Sequence, residues 1–372
     1  MLLNKNNKIN VLIVDDSAFM RKAIENMITK DPLISVIGHA RNGKEAIELA
    51  EKLKPDVITL DIAMPVMDGL EALKMIMKVH PCAVIVVSSL TTEGAKETID
   101  ALELGAVDFI TKDRSYASFG MLKIKDDLVE KIKYFGTKKV REKILKQQVS
   151  QKTEDKETQK IESEPAPVVL ETAKEKERVL SSCDIGVLGI GTSTGGPQAL
   201  QQVIPKLPGN IGIPVLVVQH MPPNFTKSLA ERLNALSHLT VVEAQGKEPL
   251  EKNVVFIAKG GFHMKIRKIG PHFYTELTRE PTNLLYIPSV DVLFTSLAEN
   301  YEKHTLAVIM TGMGKDGLLG CQLIKQKNGS VIAQDEKTSI VYGMPKAVVE
   351  NNLADKVVPL HRIANEIVKY CS

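Results

Sequence analysis

The chain of 372 residues is 44% hydrophobic and 25% charged, the profile of a globular protein long enough for two or three separate cores. A net charge of +3, 4% aromatic residues and no tryptophan give no basis for nucleic-acid binding or attraction to a charged membrane. Cys82, Cys183, Cys321 and Cys371 form no C-x-x-C pair, no signal peptide is evident, and no apolar run nears the roughly 20 residues of a membrane span, so a cytoplasmic protein without membrane insertion is expected.

In chain order, short apolar strands are expected at 11–14, 36–38, 57–60, 83–87 and 107–110. Helical spacing follows each, at 17–29, 43–53, 69–79, 93–104 and 122–134. Five such units predict a flavodoxin-like parallel sheet covered on both faces, occupying residues 1–136. Residues 137–180 are rich in Lys, Glu, Gln, Thr and Ser and include Pro165 and Pro167. They read as a charged linker, helical at most over 140–149. A second doubly wound, mostly parallel α/β domain is expected over 181–372. Its strands fall at 185–190, 215–219, 254–258, 307–310 and 329–333, and its helices at 199–204, 226–236, 290–300 and 318–326. The alternation over 263–279 predicts a hairpin around Gly270-Pro271.

Two groups of residues carry chemistry. Asp15 and Asp16 follow the first strand and Asp61 follows the third. In the strand order 2-1-3-4-5 those strands are neighbours, and ligands gather at strand carboxyl ends. Three convergent carboxylates repel one another, and Mg2+ is the natural remedy because it takes a few carboxylates and leaves room for phosphate oxygens. Ser88 and Lys112, ending the fourth and fifth strands, would hold two further phosphate oxygens. A single Asp at a strand end is more simply a helix N-cap, but five positions in register are poorly explained that way.

The second group centres on Ser193, within Gly191-Thr192-Ser193-Thr194-Gly195-Gly196. An apolar run enters this turn and a helix-like run leaves it, which presents a serine hydroxyl at a sheet edge. His220 ends the next strand and would serve as its base. Asp316, in the turn Thr311-Gly312-Met313-Gly314-Lys315-Asp316-Gly317, would orient the imidazole. The Met313 backbone is a candidate oxyanion donor, and the Thr194 hydroxyl a candidate partner of His220. The order Ser, His, Asp differs from that of α/β-hydrolases. Gly312, Gly314 and Gly317 also satisfy G-x-G-x-x-G, so a dinucleotide enzyme stays open, as does a non-catalytic binding module.

Residues 8–128 resemble a response-regulator receiver domain through Val14-Asp15-Asp16-Ser17, Leu60-Asp61-Ile62-Ala63-Met64-Pro65, Met67-Asp68-Gly69 and Thr111-Lys112. Asp113 and Ala63 stand where many receivers have Pro and Glu. Residues 183–370 resemble the catalytic domain of the chemotaxis protein-glutamate methylesterase (CheB) family. The resemblance rests on the Ser193 turn, Gln219-His220-Met221-Pro222, Pro288-Ser289-Val290-Asp291, the Asp316 turn and Tyr342-Gly343-Met344-Pro345. It implies hydrolysis of glutamate γ-methyl esters, and deamidation of glutamines, on methyl-accepting chemoreceptors. It also implies Ser193, His220 and Asp316 as the triad, with no cofactor for the hydrolysis. Asp61 would be phosphorylated by a chemotaxis histidine kinase with Mg2+, and the unphosphorylated receiver would cover the active site.

Overall fold

A computed structural model describes residues 8–112, 119–137 and 185–372. The charged stretch at 138–180, Asp113 and Cys183 lie outside the described residues.

The first sheet contains β1 (Ile9–Val14), β2 (Ile34–Ala40), β3 (Val57–Asp61), β4 (Ala83–Ser89) and β5 (Asp108–Lys112), in the order β2-β1-β3-β4-β5. All its pairings are parallel. Helices α1 (Ala18–Ile28), α2 (Gly43–Leu53), α3 (Gly69–Val79), α4 (Thr92–Glu103) and α5 (Phe119–Phe135) alternate with the strands. Their starts are written in the sequence. Ser17, Asn42, Asp68 and Thr91 each accept a hydrogen bond from the backbone N–H three residues on, satisfying one orphan donor per helix.

The second sheet has seven strands: β6 (Val187–Thr192), β7 (Val215–Gln219), β8 (Thr240–Glu243), β9 (Val254–Ile257), β12 (Thr305–Ile309), β13 (Ser330–Gln334) and β14 (Lys356–Val358). Their order is β14-β13-β12-β6-β7-β9-β8, again parallel throughout. Strands β10 (His263–Ile269) and β11 (His272–Thr278) form the expected antiparallel ribbon around Gly270. The helices are α6 (Gly196–Val203), α7 (Phe225–Leu236), α8 (Val290–Tyr301), α9 (Leu318–Gln326), α10 (Met344–Glu350) and α11 (Leu360–Cys371). No helix among the described residues is long and apolar enough to cross a membrane.

Four of these elements have no counterpart in the sequence reading. Strands β8 and β14 are short edge strands of mixed exposure, so neither shows a continuous apolar run. Helix α10 spans only seven residues. Helix α11 had a readable signal, since Ile363, Ala364, Ile367 and Cys371 fall on one buried face.

The two sheets are packed together through helices. Phe109 on β5 stacks on Phe225 of α7, with ring centroids 4.9 Å apart and planes 3° apart. Arg232 of α7 makes a bidentate pair with Glu103 at the end of α4, at 2.6 and 2.5 Å. Asn224 donates to the Leu90 carbonyl at 2.8 Å, and Tyr134 of α5 donates to the Ile340 carbonyl at 3.2 Å. Met313 and Val341 belong to the same buried apolar cluster as Leu128, Ile132 and Phe135 of α5.

Candidate active site

Strand β6 delivers Ser193 and its neighbour β7 delivers His220. Thr192 is in register with Gln219, so the next residue of each parallel strand reaches the same sheet edge. The chain then turns sharply. Gly195 has φ +74°, which a side chain would strain, and a Cβ on Gly196 would collide with Gln219 Oε1 and Thr192 Oγ1. The Ser193 N–H donates to the Thr311 carbonyl at 3.0 Å, tying this turn to the one after β12.

The side chains form a line. His220 Nδ1 lies 3.0 Å from Ser193 Oγ, and His220 Nε2 lies 2.7 Å from Asp316 Oδ2. Asp316 also accepts from Ser289 Oγ at 2.8 Å and from the backbone N–H groups of Val290, Asp291 and Gly317 at 2.7, 3.0 and 3.1 Å. Two of those N–H groups open α8, whose positive end favours an anion. Burial works against the charge on Asp316. The bonds from His220, Asp291 and Val290 outweigh it and hold the carboxyl at about 2. An ionised Asp316 assigns the ring proton to Nε2, leaving Nδ1 as an acceptor facing the serine hydroxyl. A hydroxyl, a base and an orienting carboxylate so linked can perform acyl transfer.

Three supporting residues escaped the sequence reading of the site. Ser289 bonds Asp316. The Gln219 amide donates to the carbonyls of Ser193 at 2.9 Å and His220 at 3.2 Å. Tyr286 stacks on the His220 ring. Both Gln219 and Ser289 sit in quoted motifs, but only packing shows what their polar atoms meet.

Thr194 requires a correction. Its hydroxyl does not pair with His220; it donates to Asp108 Oδ2 of the first sheet at 2.9 Å. The buried Asp108 carboxylate, which also faces Lys131 at 3.1 Å, draws that hydroxyl toward the domain interface. The Met313 side chain packs toward α5, so only its backbone can serve the serine. Two of the three glycines of the Asp316 turn, Gly312 and Gly317, are crowded by the protein's own atoms. A Cβ on Gly312 would stand 2.8 Å from Ser193 Cβ and would collide with Met344 Sδ, while one on Gly317 would press on Ile309 and Val290. A loop filled this way offers no open cradle for a dinucleotide.

At the first sheet's edge, oxygens of Asp15, Asp16 and Asp61 lie within 4.8 Å of one another. Lys112 Nζ is 2.8 Å from Asp15 Oδ2 and 2.6 Å from Asp61 Oδ2. Burial, opposed by Lys112 and aided by Asp15 and Asp16, pushes the Asp61 carboxyl up to about 6. Burial disfavours the Lys112 charge, but Asp61 and Asp15 outweigh that and raise its pKa. Ser88 is buried nearby, donating to the Gly94 carbonyl at 3.0 Å. Three carboxylates facing one ammonium leave a negative, all-oxygen donor set, which fits a small hard divalent cation. Ala63, exposed beside this cluster, adds no carboxylate.

A parallel α/β sheet with a serine, histidine and carboxylate in line, joined to a second sheet carrying an acidic pocket, defines a serine hydrolase coupled to a receiver. Residues 188–367 match the CheB methylesterase family, and residues 11–118 match the response regulator receiver domain. The protein-glutamate methylesterase/protein-glutamine glutaminase of Halalkalibacterium halodurans is 43% identical over 364 residues, spanning 98% of this chain and 99% of that one. Its Archaeoglobus fulgidus namesake is 45% identical over 361 residues, with 97% of both chains covered. The catalytic domain of Thermotoga maritima CheB methylesterase is 43% identical, with a TM-score of 0.49, over 50% of this chain and 98% of that structure. The chain belongs to the CheB methylesterase family.

Proposed function

We propose that this chain is a phosphorylation-controlled protein-glutamate methylesterase and protein-glutamine glutaminase, acting in the cytoplasm on methyl-accepting chemoreceptors during chemotactic adaptation. The observation that carries the reading is the hydrogen-bonded line from Ser193 through His220 to Asp316. Ser193 Oγ attacks the side-chain carbonyl carbon while His220 Nδ1 takes its proton. The backbone N–H of Met313 is the donor we assign to the developing oxyanion. The imidazolium then gives its proton to the departing methoxide, releasing methanol, or to the amide nitrogen, releasing ammonia. Water, deprotonated by His220, attacks the acyl-enzyme and frees glutamate and the serine hydroxyl. No cofactor enters this cycle.

In this reading residues 1–136 are the receiver, 137–180 the linker and 181–372 the catalytic domain. Asp61 accepts a phosphoryl group from a chemotaxis histidine kinase, and Ser88 and Lys112 meet the phosphoryl oxygens. Asp15, Asp16 and Asp61 would hold Mg2+, which, when bound, neutralises the charge gathered there. The receiver contacts the flank of the serine through Asp108 and Thr194, and Ser193 itself is only 8% exposed. Phosphorylation shifts the population away from this docked arrangement because the phosphoryl group interacts differently with the two states.

Methanol release from methylated receptor, with and without a small phosphodonor, tests the whole reading. Ser193→Ala is expected to be inactive in both conditions. Asp61→Asn is expected to keep basal hydrolysis and lose activation. Retained activity in the serine variant would overturn the nucleophile, and full activation of the Asn variant would overturn the control.

A further inference from the structure

The Ser193–His220–Asp316 line leaves one motion of the imidazole unaccounted for. The two bonds, at 3.0 and 2.7 Å, grip opposite edges of the ring. Both pull in the ring plane, so neither strongly opposes a rocking of the ring out of that plane. Such a tilt turns the Nδ1 lone pair away from the serine hydroxyl, and hydrogen bonds weaken steeply with angle.

Tyr286 blocks that tilt. Its ring lies flat on the imidazole, with centroids 4.2 Å apart and planes 9° apart. The stack matters only if the tyrosine is itself held, and it is. The buried His263 clamps both ends of the 281–289 loop: its Nδ1 accepts from the Ser289 N–H and its Nε2 donates to the Pro281 carbonyl, each at 3.1 Å. Burial lowers the His263 pKa, against its bond to Pro281, in keeping with a neutral ring that donates on one side and accepts on the other. The Gly261 N–H ties the Ile287 carbonyl at 3.3 Å. Ser289, at the end of the same loop, bonds Asp316. One clamped loop therefore orients both the acid of the line and the face of its base.

We infer that Tyr286 is a positioning residue for the hydrolysis: its ring fixes the tilt of His220 and presents a π-face to the imidazolium formed in the reaction. The inference rests on the triad reading given above. An aromatic face attracts a cation through its quadrupole, so the stack strengthens as the ring becomes charged. The hydroxyl plays no part in either effect. The charged groups around the stacked pair are Asp316 and Asp291 on the catalytic side and Asp127, Glu130 and Lys131 on α5. All of them remain in the variants below.

The test uses the full chain with phosphoramidate and Mg2+, measuring methanol release from methylated receptor across pH. Tyr286→Leu is expected to lower kcat roughly tenfold, about 1.4 kcal/mol, with KM within about twofold. The acidic limb of its kcat/KM profile is expected to move to lower pH, because a face favouring the protonated ring has gone. Tyr286→Phe keeps the face and is expected to stay within about twofold, with an unmoved limb. If Tyr286→Leu fails to fold, the Phe variant and Tyr286→Trp carry the test, both expected to hold the wild-type limb. A Leu variant with unchanged kcat and limb, or a moved limb in Phe or Trp, overturns the inference. Those outcomes leave the triad standing if Ser193→Ala is inactive, whereas an active Ser193→Ala removes the triad whatever Tyr286 does.

Discussion

Two carboxylates, the largely buried Asp316 and the buried Asp61, are driven in opposite directions by their surroundings. Burial raises both. At Asp316 it is overcome by hydrogen bonds from His220, Asp291 and Val290, and the group stays ionised down to about 2. At Asp61 burial prevails over Lys112, and Asp15 and Asp16 add to it, reaching about 6. Folding therefore costs free energy at Asp61 wherever the unfolded carboxyl, at 3.8, is ionised. The cost is full above pH 6, shrinks as pH falls through 6, and is gone below about pH 4. Asp61→Asn is accordingly expected to stabilise the chain by about 1–3 kcal/mol at pH 7 and by little at pH 4. Thermal unfolding at the two pH values checks this, and an equal gain at both would contradict it. Millimolar Mg2+ should raise the wild-type midpoint and leave that of the Asn variant nearly unchanged. Asp316 has the reverse linkage: its stabilisation is present above about pH 4 and lost as pH falls toward 2. An amide at 316 can satisfy only some of its several N–H donors and carries no charge to offset the imidazolium. Asp316→Asn should lose about 10³–10⁴-fold in kcat, read from steady-state methanol release, with KM changed far less.

At the scale of elements, the site is two strand-turn-helix units laid side by side in register. Strand β6 gives way to the Ser193 turn and α6, and β12 to the Asp316 turn and α9. The crowding around these turns leaves little room for larger residues. A methyl at Gly196 meets the Gln219 amide, whose nitrogen supports the carbonyls of Ser193 and His220. Gly196→Ala is therefore expected to cost about 1–3 kcal/mol of stability through overpacking and to depress activity along with it. Urea unfolding paired with methanol release measures both, and a variant unchanged in either would show that the turn has slack. The glycines and strand ends of these units were legible because turn chemistry is local. The contents of the Asp316 turn were not, since the same three glycines fit a phosphate cradle until Ser193 and Met344 are seen filling the space beside Gly312.

For the whole molecule, β5 has two ends with different duties. Lys112 at one end pairs with Asp15 and Asp61, and Asp108 and Phe109 at the other meet Thr194 and Phe225. The strand that carries Lys112 to the acidic pocket thus also touches the Ser193 turn. The Arg232–Glu103 pair lies at the margin of that interface, and a pair so exposed is worth about 0–1 kcal/mol. Arg232→Glu replaces it with like charges and should favour undocking. Basal methanol release without phosphodonor is expected to rise about two- to fivefold, which is the upper part of that range, about 0.4–1 kcal/mol, expressed as a population. An unchanged basal rate would mean the contact does not hold the receiver in place.

By itself the sequence determined the two α/β folds, the serine turn and the strand-end positions of His220 and the acidic residues. Each is a local matter of apolar runs, capping residues and glycine turns, or follows from the fact that parallel strands end at one edge. Only the tertiary structure decided what the side chains meet. It sent the Thr194 hydroxyl to Asp108 rather than to His220, placed Asp316 at the start of α8 among five donors, and laid Tyr286 on the imidazole. Apart from the adjacent Gly317 N–H, those contacts join residues roughly 25 to 100 positions apart by strand pairing and domain packing, and no local pattern along the chain encodes them.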